Sequence, residues 1–300
     1  MKKKSKRRIK SSVKKKFKLL LILVIISVII GKYLSPYISF IRFTEEKGQS
    51  IESNSIQNNN PSYDEVSSIK NNIGTIEERL NKLKGQDSRI NTIISNYNDY
   101  PEDLIDMLSR NIDMLDFVLK YSEKKGNVYS DNIGNINKGK IPLLLQWDER
   151  WGYANYGDNI IAINGCGPTA LSMVISGLTG DNTITPYTIS KFSIEHGYYI
   201  NGTGTSWDLM TGIDGYFGIK SKELSLDKNI IFNNLKNGKP IICSMRSGDF
   251  TTTGHFIVLT GIEDGKIKVN DPNSKVRSSI LWDYDRLAPQ IRNLWTFYVK

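Results

Sequence analysis

Hydrophobic and polar positions divide this 300-residue chain into segments of different character. A run of twelve uncharged and almost wholly apolar residues, L-L-L-I-L-V-I-I-S-V-I-I, occupies positions 19–30 between two lysines. A helix extended to residues 17–34 would be roughly 27 Å long, close to the ~30 Å hydrocarbon core of a membrane. The pattern therefore predicts one short transmembrane helix, assigned to residues 19–34, with Lys18 and Lys32 reaching toward the two interfaces.

The residues before this run indicate its orientation. Residues 1–18 hold eleven Lys or Arg and no acidic residue, which predicts a basic cytoplasmic tail and places the rest of the chain outside the cell. A charged segment followed by an apolar one is also typical of a secretory signal that is cleaved. No A-x-A-like site follows in G-K-Y-L-S-P-Y, so an uncleaved signal-anchor of a single-pass membrane protein is favoured over a cleaved signal.

Residues 35–63 and 64–125 differ in their hydrophobic spacing. The first segment is dominated, over positions 45–63, by Asn, Ser, Gln and charged residues, which predicts a flexible linker. In the second, apolar residues recur at intervals of three and four, which predicts a helical stalk or short coiled coil. Its last part, from Pro101, is interpreted as a helical hairpin that packs on the following domain. The apolar positions that begin the segment are Val66, Ile69, Ile73, Ile76 and Leu80.

The pattern changes again after residues 126–140, a connector of Gly, Asn and Lys. Residues 141–300 hold all five Trp, both His and both Cys and have the pattern of a globular domain. One helix is predicted after Cys166, with Gly180 beyond its end. Strands are predicted at 240–245, 255–260, 266–270 and 294–299. Helices followed by an antiparallel sheet are typical of the α+β class, which is the predicted fold.

Charge and composition exclude several classes of function. Outside the basic tail, 282 residues carry 29 basic and 31 acidic side chains, so no basic face and no nucleic-acid partner are expected. The two Cys and two His do not form a C-x-x-C or H-E-x-x-H spacing, which argues against a zinc site. No metal or other cofactor is therefore expected.

Cys166 and His255 are the candidate reactive pair. Cys166 lies in N-G-C-G-P-T-A, where two glycines allow close backbone approach and Pro168 suits the first turn of a helix. A thiol at the positive end of a helix, beside a cation, has the lowered pKa that a nucleophile needs; the alternative is a small buried residue at a tight turn. His255 opens the strand F-I-V-L-T-G as the expected base, whereas His196 is interpreted as a cation at a helix C-terminus.

The position of Asp271 depends on the hairpin that joins its strand to that of His255. With a two-residue loop, Asp271 would lie opposite Val258 and on the other face from His255. With a three-residue loop and Gly265 in the left-handed conformation, Asp271 lies opposite Ile257, diagonal to His255 and about 7 to 8 Å away by backbone spacing. We predict the three-residue loop, with Asp271 orienting His255; the alternative role of Asp271 is to start an Asp-Pro turn.

An oxyanion hole needs hydrogen-bond donors directed at the developing charge. The N–H group of Cys166 at the helix start is one candidate. The side-chain amide of Gln146, in L-L-L-Q-W-D-E-R-W, is a second, although its spacing alone carries little weight.

Taken together, these residues resemble one family, the papain-like cysteine peptidases related to the bacteriocin double-glycine leader peptidases, in their stand-alone C39-like bacterial branch. Matching segments are Q-W-D-E-R-W-G at 146, I-N-G-C-G-P-T-A-L-S-M-V at 163, G-T-S-W at 204, G-K-P-I-I-C-S-M at 238, G-H-F-I-V-L-T-G at 254 and V-N-D-P-N-S at 269. Residues 100–125 are similar to the helical lead-in of many such proteins. The resemblance implies a papain-like fold with Cys166 as nucleophile, His255 as base, Asp271 as its orienting residue and Gln146 as oxyanion-hole donor.

These features predict a membrane-anchored, extracytoplasmic cysteine peptidase that forms and hydrolyses a thioester. Its expected partners are the membrane and a peptide or protein substrate, with cell-wall peptide as one candidate; the oligomeric state is not predicted. Bacteriocin leader removal is not expected, because no transporter or ATPase segment accompanies a domain placed outside the cell.

Two alternatives remain from the sequence. One is a cell-wall peptide amidase or hydrolase, similar to the NlpC type, which uses the same Cys and His chemistry. The other is an inactive surface module in which an aromatic groove of Trp147, Trp151 and Trp207 holds a peptide. A disulfide between Cys166 and Cys243, which the outside of a cell permits, would favour the inactive module.

Overall fold

The computed structural model describes residues 74–299. The predicted basic tail, transmembrane helix and linker, and residues 64–73 of the predicted stalk, lie outside the described residues. Within residues 74–299, no helix has the length and apolar character needed to cross a membrane.

Short helices precede the domain that carries the candidate site. They are α1 (Ile76–Leu83), α2 (Ile90–Ser95), α3 (Glu102–Arg110), α4 (Leu115–Leu119) and α5 (Tyr121–Lys124), with 3₁₀ turns at Tyr97–Asp99 and Ile112–Met114. The Thr75 hydroxyl accepts the N–H of Glu78 while the Glu78 carboxylate accepts the N–H of Thr75, an arrangement that satisfies donors at the start of α1. α3 follows Pro101 and has two acidic residues in its first turn, where the helix dipole favours negative charge.

These lead-in helices, α1 to α5, share a core with the domain that follows. Their apolar side chains form one buried cluster that also contains Trp147, Tyr153, Ile160 and Ala162. The ring of Phe117 stacks on the ring of Tyr153 with centroids 4.0 Å apart. The Tyr153 hydroxyl donates to the Phe117 carbonyl at 2.9 Å, so this contact joins the two parts by both packing and hydrogen bonding.

Phe117→Ala is expected to destabilise the lead-in helices and the domain together. The change removes a buried aromatic side chain and leaves a cavity beside Tyr153, which typically costs about 3–5 kcal/mol. Urea unfolding of the full chain measures the effect, and Leu143→Ala, at an exposed position, is the control with an expected change within about 0.5 kcal/mol. Two separate transitions, of which only one responds to Phe117→Ala, would contradict a shared core.

From residue 141 the chain forms helices, two small hairpins and one larger sheet. The hairpins are β1 (Asn155–Tyr156) with β2 (Asn159–Ile160), and β3 (Tyr199–Ile200) with β4 (Gly204–Thr205). The helices are α6 (Ile161–Asn164), α7 (Cys166–Thr179), α8 (Pro186–Glu195), α9 (Asp208–Gly212), α10 (Lys228–Lys236), α11 (Lys275–Ser279) and α12 (Tyr284–Leu287), and a 3₁₀ turn lies at Ala288–Gln290. The strands of the larger sheet are β5 (Ile219–Glu223), β6 (Ile241–Met245), β7 (His255–Glu263), β8 (Lys266–Asn270), β9 (Leu281–Trp282) and β10 (Ile291–Val299).

The larger sheet separates two buried clusters. Its six strands are antiparallel and arranged in the order β5-β10-β6-β7-β8-β9. α7 packs on one face through side chains such as Val174, which meet Phe256 and Val258 of β7. α10 packs on the other face, where Ile231 meets Ile257 of β7, because successive residues of a strand face opposite sides of a sheet. A mixture of helices with an antiparallel sheet confirms the predicted α+β class.

The loop between β7 and β8 differs from the prediction. Glu263 pairs with Lys266, so the loop consists of two residues, Asp264 and Gly265. Both have positive φ angles, 49° and 74°, as the favoured two-residue hairpin turns require. The predicted three-residue loop is therefore wrong.

A bulge in β7 nevertheless brings Asp271 to the predicted face. The pairing skips Thr260, and beyond this bulge Val258 pairs with Asn270. Asp271 therefore follows at the position opposite Ile257, on the face of His255. The extra residue in the strand shifts the register by one residue, as one more residue in the loop would have done.

Candidate active site

The turn before α7 presents the thiol of Cys166. A Cβ at position 165 would lie 2.5 Å from the carbonyl oxygen of Ile161, and a Cβ at position 167 would lie 2.8 Å from the side chain of Thr205. Gly165 and Gly167 are therefore required by close approach of neighbouring groups, as the sequence predicted. Cys166 is the first residue of α7 and is partly exposed, at the positive end of the helix dipole.

Cys166, His255 and Asp271 are neighbours in one continuous group. The His255 imidazole and the backbone N–H groups of Phe256 and Gly167 lie close enough to the Cys166 sulfur to stabilise its thiolate. On the far side of the ring, His255 Nε2 lies 2.8 Å from Asp271 Oδ1. Because Nε2 faces the carboxylate, Nδ1 is the ring nitrogen left for the thiol. The structure thus brings these three predicted site residues together in the predicted order.

A buried cation that was not predicted from the sequence lies beside Asp271. Arg277 Nε lies 2.5 Å from Asp271 Oδ2, and the two side chains are 4% and 0% exposed. The backbone N–H of Asn273 donates to Asp271 Oδ1 at 2.8 Å, and the Asp271 N–H donates to the Ser278 hydroxyl, also at 2.8 Å. The carboxylate that orients His255 is thus held through both of its oxygens.

A local signal for Arg277 was present in the sequence D-P-N-S-K-V-R. Ser274 is a good helix N-cap residue, and its hydroxyl accepts the N–H of Arg277 at 3.1 Å. The chain reverses direction at Asp271 and leads directly into the helix that Ser274 caps. The first turn of that helix carries Arg277 and lies back toward Asp271.

Electrostatic interactions among Cys166, His255, Asp271 and Arg277 favour a pair made of the Cys166 thiolate and the His255 imidazolium. Burial opposes ionisation of the Cys166 thiol, but the hydrogen bond from His255 and the charge of its imidazolium outweigh burial and lower the thiol pKa. Burial also opposes protonation of His255, but the Asp271 carboxylate and the Cys166 thiolate together outweigh burial and raise the pKa of the imidazole to about 9. Although burial acts in the opposite direction, Arg277 and His255 hold the pKa of Asp271 well below its usual range. Each of these shifts favours the charged form of its group.

Gln146 lies near the pair, but its amide is engaged with the backbone. The side chain is buried, and Nε2 donates to the carbonyl of Ala162 at 2.7 Å and to that of Ile163 at 3.3 Å. Its Oε1 is buried without a hydrogen-bond partner among the described residues. Gln146 would become an oxyanion donor only by exchanging the longer bond, to Ile163, for a substrate oxygen.

The second cysteine and the second histidine lie away from the pair. Cys243 is buried in β6, where burial raises the pKa of its thiol. Both Cys166 and Cys243 are free, so the disulfide that would have favoured an inactive module is not formed. His196 follows the last residue of α8, and its Nδ1 lies 2.9 Å from the Phe192 carbonyl oxygen, in agreement with its interpretation as a helix C-terminal residue.

A cavity of about 610 Å³ opens over Cys166 and His255. Trp207, 41% exposed, is part of its lining, whereas Trp147 and Trp151 are buried in the core. The predicted aromatic groove of three tryptophans is therefore wrong. The lead-in helix α3 supplies one wall of the cavity, and the hairpin β3–β4 and the loop 250–254 supply others.

The charged residues of the α3 wall are partly paired with one another. Asp106 accepts a hydrogen bond from Arg110 Nε at 3.0 Å and also binds Arg79, which is buried. Asp103 lies one turn before Asp106 and is exposed toward the cavity. No group of three or more His, Cys, Asp or Glu within residues 74–299 is placed to hold a metal ion. Cys166 and His255, which converge in the cavity, are suited to nucleophilic chemistry by a thiolate.

A family model and solved structures are similar to parts of this chain. The model of the Peptidase_C39 like family matches residues 138–299, more than half of the chain. No curated protein matches the chain. The chain is similar in structure to the peptidase domain of Streptococcus ComA, described as a bifunctional ABC transporter involved in a quorum-sensing pathway. The two are 19% identical over 46% of this chain and 93% of that one, with a TM-score of 0.37.

A protein from Bacillus anthracis described as a C39-like peptidase is similar as well. It is 12% identical over 55% of this chain and 98% of that one, with a TM-score of 0.35. These two likenesses are too distant to carry an argument about function. The match of the family model, which includes Cys166, His255 and Asp271, shows that the chain belongs to the Peptidase_C39 like family.

Proposed function

We propose that the protein is a papain-like cysteine peptidase that hydrolyses a peptide or amide bond through a thioester. The observation that carries the proposal is that Cys166 and His255 meet in the lining of an open cavity, with Asp271 hydrogen-bonded to the far side of the imidazole. Membership of the Peptidase_C39 like family supports the same reaction type.

The proposed reaction begins with the thiolate of Cys166. Its sulfur attacks the carbonyl carbon of the scissile amide, and the backbone N–H at the start of α7 stabilises the oxyanion. The His255 imidazolium gives its proton to the leaving amine as the C–N bond breaks and the thioester remains. Neutral His255 then takes a proton from water, whose oxygen attacks the thioester carbonyl carbon. The C–S bond breaks, the acyl part of the substrate leaves as a carboxylic acid, and the Cys166 thiolate and the imidazolium are restored.

Gln146 is proposed as the second oxyanion donor. The strong hydrogen bond to Ala162 O fixes the amide, while the second hydrogen of Nε2 is held more weakly, at 3.3 Å from Ile163 O. A negatively charged substrate oxygen is a better acceptor than a backbone carbonyl, so that hydrogen is available for exchange.

The cavity is proposed to bind an extended stretch of peptide. Its walls come from both the lead-in helices and the domain, since α3, Trp207 and the loop 250–254 all line it. The substrate is therefore proposed to contact the lead-in helix α3 as well as the domain that carries Cys166.

Anchoring in the cell membrane, with the peptidase outside, remains part of the proposal. Its support is the apolar run at 19–30 behind eleven basic residues, which is the pattern of a signal-anchor with its N-terminus in the cytoplasm. A surface location would give the enzyme access to extracellular and cell-wall peptides.

The pH dependence of thiol alkylation tests the reactive pair without a known substrate. We expect iodoacetamide to modify Cys166 rapidly at pH values well below the ordinary thiol pKa of about 8.5, and the reactivity to change again near pH 9 as His255 loses its proton. Peptide mass spectrometry separates Cys166 from Cys243, which is buried and serves as an internal control with little reaction. A Cys166 thiol with a pKa near 8.5 would refute the proposed cysteine peptidase function.

A further inference from the structure

Arg277 is held in one position by contacts from several sides. It lies on α11, and its N–H is bound by the hydroxyl of Ser274. The indole Nε1 of Trp282 donates to the Arg277 carbonyl at 3.0 Å, and the guanidinium lies 5.9 Å from the centre of the Phe250 ring. The side chain is therefore directed at Asp271 by packing and by backbone hydrogen bonds.

Arg277 and His255 bind different oxygens of Asp271. His255 Nε2 and the Asn273 N–H contact Oδ1, whereas Arg277 Nε contacts Oδ2. The two charged partners thus do not compete for one acceptor, and together they fix the plane of the carboxylate. Because that plane sets the direction in which Oδ1 accepts a hydrogen bond, Arg277 affects the orientation of the imidazole.

A fully buried carboxylate needs a permanent positive partner to remain ionised. His255 cannot fill this role throughout the proposed reaction, because its proton moves to the leaving amine and returns from water. A guanidinium keeps its charge at every pH at which proteins are folded. Asp271 would therefore keep an ion pair in the steps in which His255 is neutral.

We propose that Arg277 is a positioning residue of the catalytic chain, which keeps Asp271 ionised and directed at His255 while the proton of His255 is transferred. The inference rests on the proposed function and extends the chain to Cys166–His255–Asp271–Arg277. Arg277 is not itself part of the cavity lining, and its ion pair with Asp271 connects it to His255, so it acts through Asp271.

Few other charged groups act on Cys166, His255 and Asp271. Asp271 is influenced by Arg277 and His255, and His255 is influenced by Asp271 and Cys166. The other charged side chains that line the cavity form no ion pair with Asp271 or His255 among the described residues; they are Asp103, Asp106 and Arg110 of α3 and Arg292 of β10. A change in the titration of Cys166 after substitution of Arg277 is thus attributable to Asp271 and His255.

The test is the pH profile of Cys166 alkylation in the full chain with Arg277→Gln and Arg277→Lys. Loss of the buried positive charge increases the proton affinity of Cys166, His255 and Asp271 together. We therefore expect the acid limb, the low-pH part of the profile in which the alkylation rate rises with pH, to move to higher pH by about one unit or more in R277Q. At a pH on that limb, the alkylation rate falls about tenfold. R277K keeps the charge and is expected to restore most of the wild-type profile.

Arg286→Gln is the matched control. Arg286 also binds a buried carboxylate, that of Asp249, through two hydrogen bonds of 2.7 and 2.8 Å, but neither residue contacts His255 or Asp271. R286Q is expected to lower stability while leaving the acid limb in place. A loss of stability common to R277Q and R286Q therefore does not imitate the predicted shift.

Three results would separate the possibilities. A wild-type Cys166 that titrates like a free thiol would refute the proposed function itself, before any variant is compared. A folded R277Q with the wild-type acid limb, or an R277K shifted as far as R277Q, would overturn the role of Arg277 alone. If R277Q does not fold, R277K decides, because an acid limb displaced by about one unit despite the retained charge overturns the inference and an unshifted limb supports it.

Discussion

Cys166→Ala should abolish peptide hydrolysis, with a fall in kcat of about four orders of magnitude or more. The thiol is the atom that forms the covalent bond to substrate, and loss of a nucleophile that works with a base removes nearly all of their joint contribution to the rate. Binding should survive, because the cavity walls from α3 and Trp207 are unchanged. The measurement is the appearance of new peptide termini, by mass spectrometry, in a mixed peptide library incubated with the full chain.

Cys243→Ala is the matched control for this substitution. It makes the same chemical change at the second free cysteine, which is buried in β6 on the face of the sheet that packs against α10. A modest loss of stability, on the order of 1 kcal/mol, is expected from the smaller side chain, with hydrolysis retained. Hydrolysis that persists in the Cys166 variant, or vanishes in the Cys243 variant alone, would contradict the assignment of the nucleophile.

Four of the six strands of the larger sheet could be predicted, because they are short apolar runs bounded by turn residues, whereas β5 and β9 were not predicted. The predicted strand at 266–270 coincides with β8, and that at 240–245 differs from β6 by one residue. β7 continues three residues beyond its prediction, to Glu263, because the tight turn at Asp264 and Gly265 carries the pairing to the end of the hairpin. Local patterns therefore located the strands well and their ends less well.

The register of β7 with β8 could not be predicted from the loop alone. Compared with the predicted three-residue loop, the two-residue turn shifts the register by one residue, and the bulge at Thr260 shifts it back by one residue. Asp271 therefore lies at the predicted position. A bulge leaves no pattern in an apolar strand, since the residues on either side of it are all compatible with pairing. The prediction that Asp271 reaches His255 was therefore right for a reason that the sequence did not contain.

Arg277 and Gln146 show the limit of assigning roles to single residues. Arg277 was not predicted as a site residue, because an arginine in a charged turn is usually solvated. Only the fold shows that it is buried against Asp271. The family resemblance placed Gln146 near the thiol. The partners of its Nε2 depend on the directions in which the carbonyl groups of Ala162 and Ile163 point. Side-chain partners of this kind follow from tertiary packing and not from spacing along the chain.

His255→Ala should remove the low-pH reactivity of Cys166 and lower hydrolysis by roughly 10³- to 10⁴-fold. Without the imidazolium, only the N–H groups of Phe256 and Gly167 oppose the effect of burial, so the thiol pKa should rise and alkylation should require a pH above about 8.5. Asp271 keeps Arg277 and Asn273 as partners, so the fold should persist. His196→Ala, at the end of α8, is the control and should leave both measurements unchanged. Rapid alkylation near neutral pH in the His255 variant would show that the helix dipole and the N–H groups of Phe256 and Gly167, rather than the imidazole, activate the thiol.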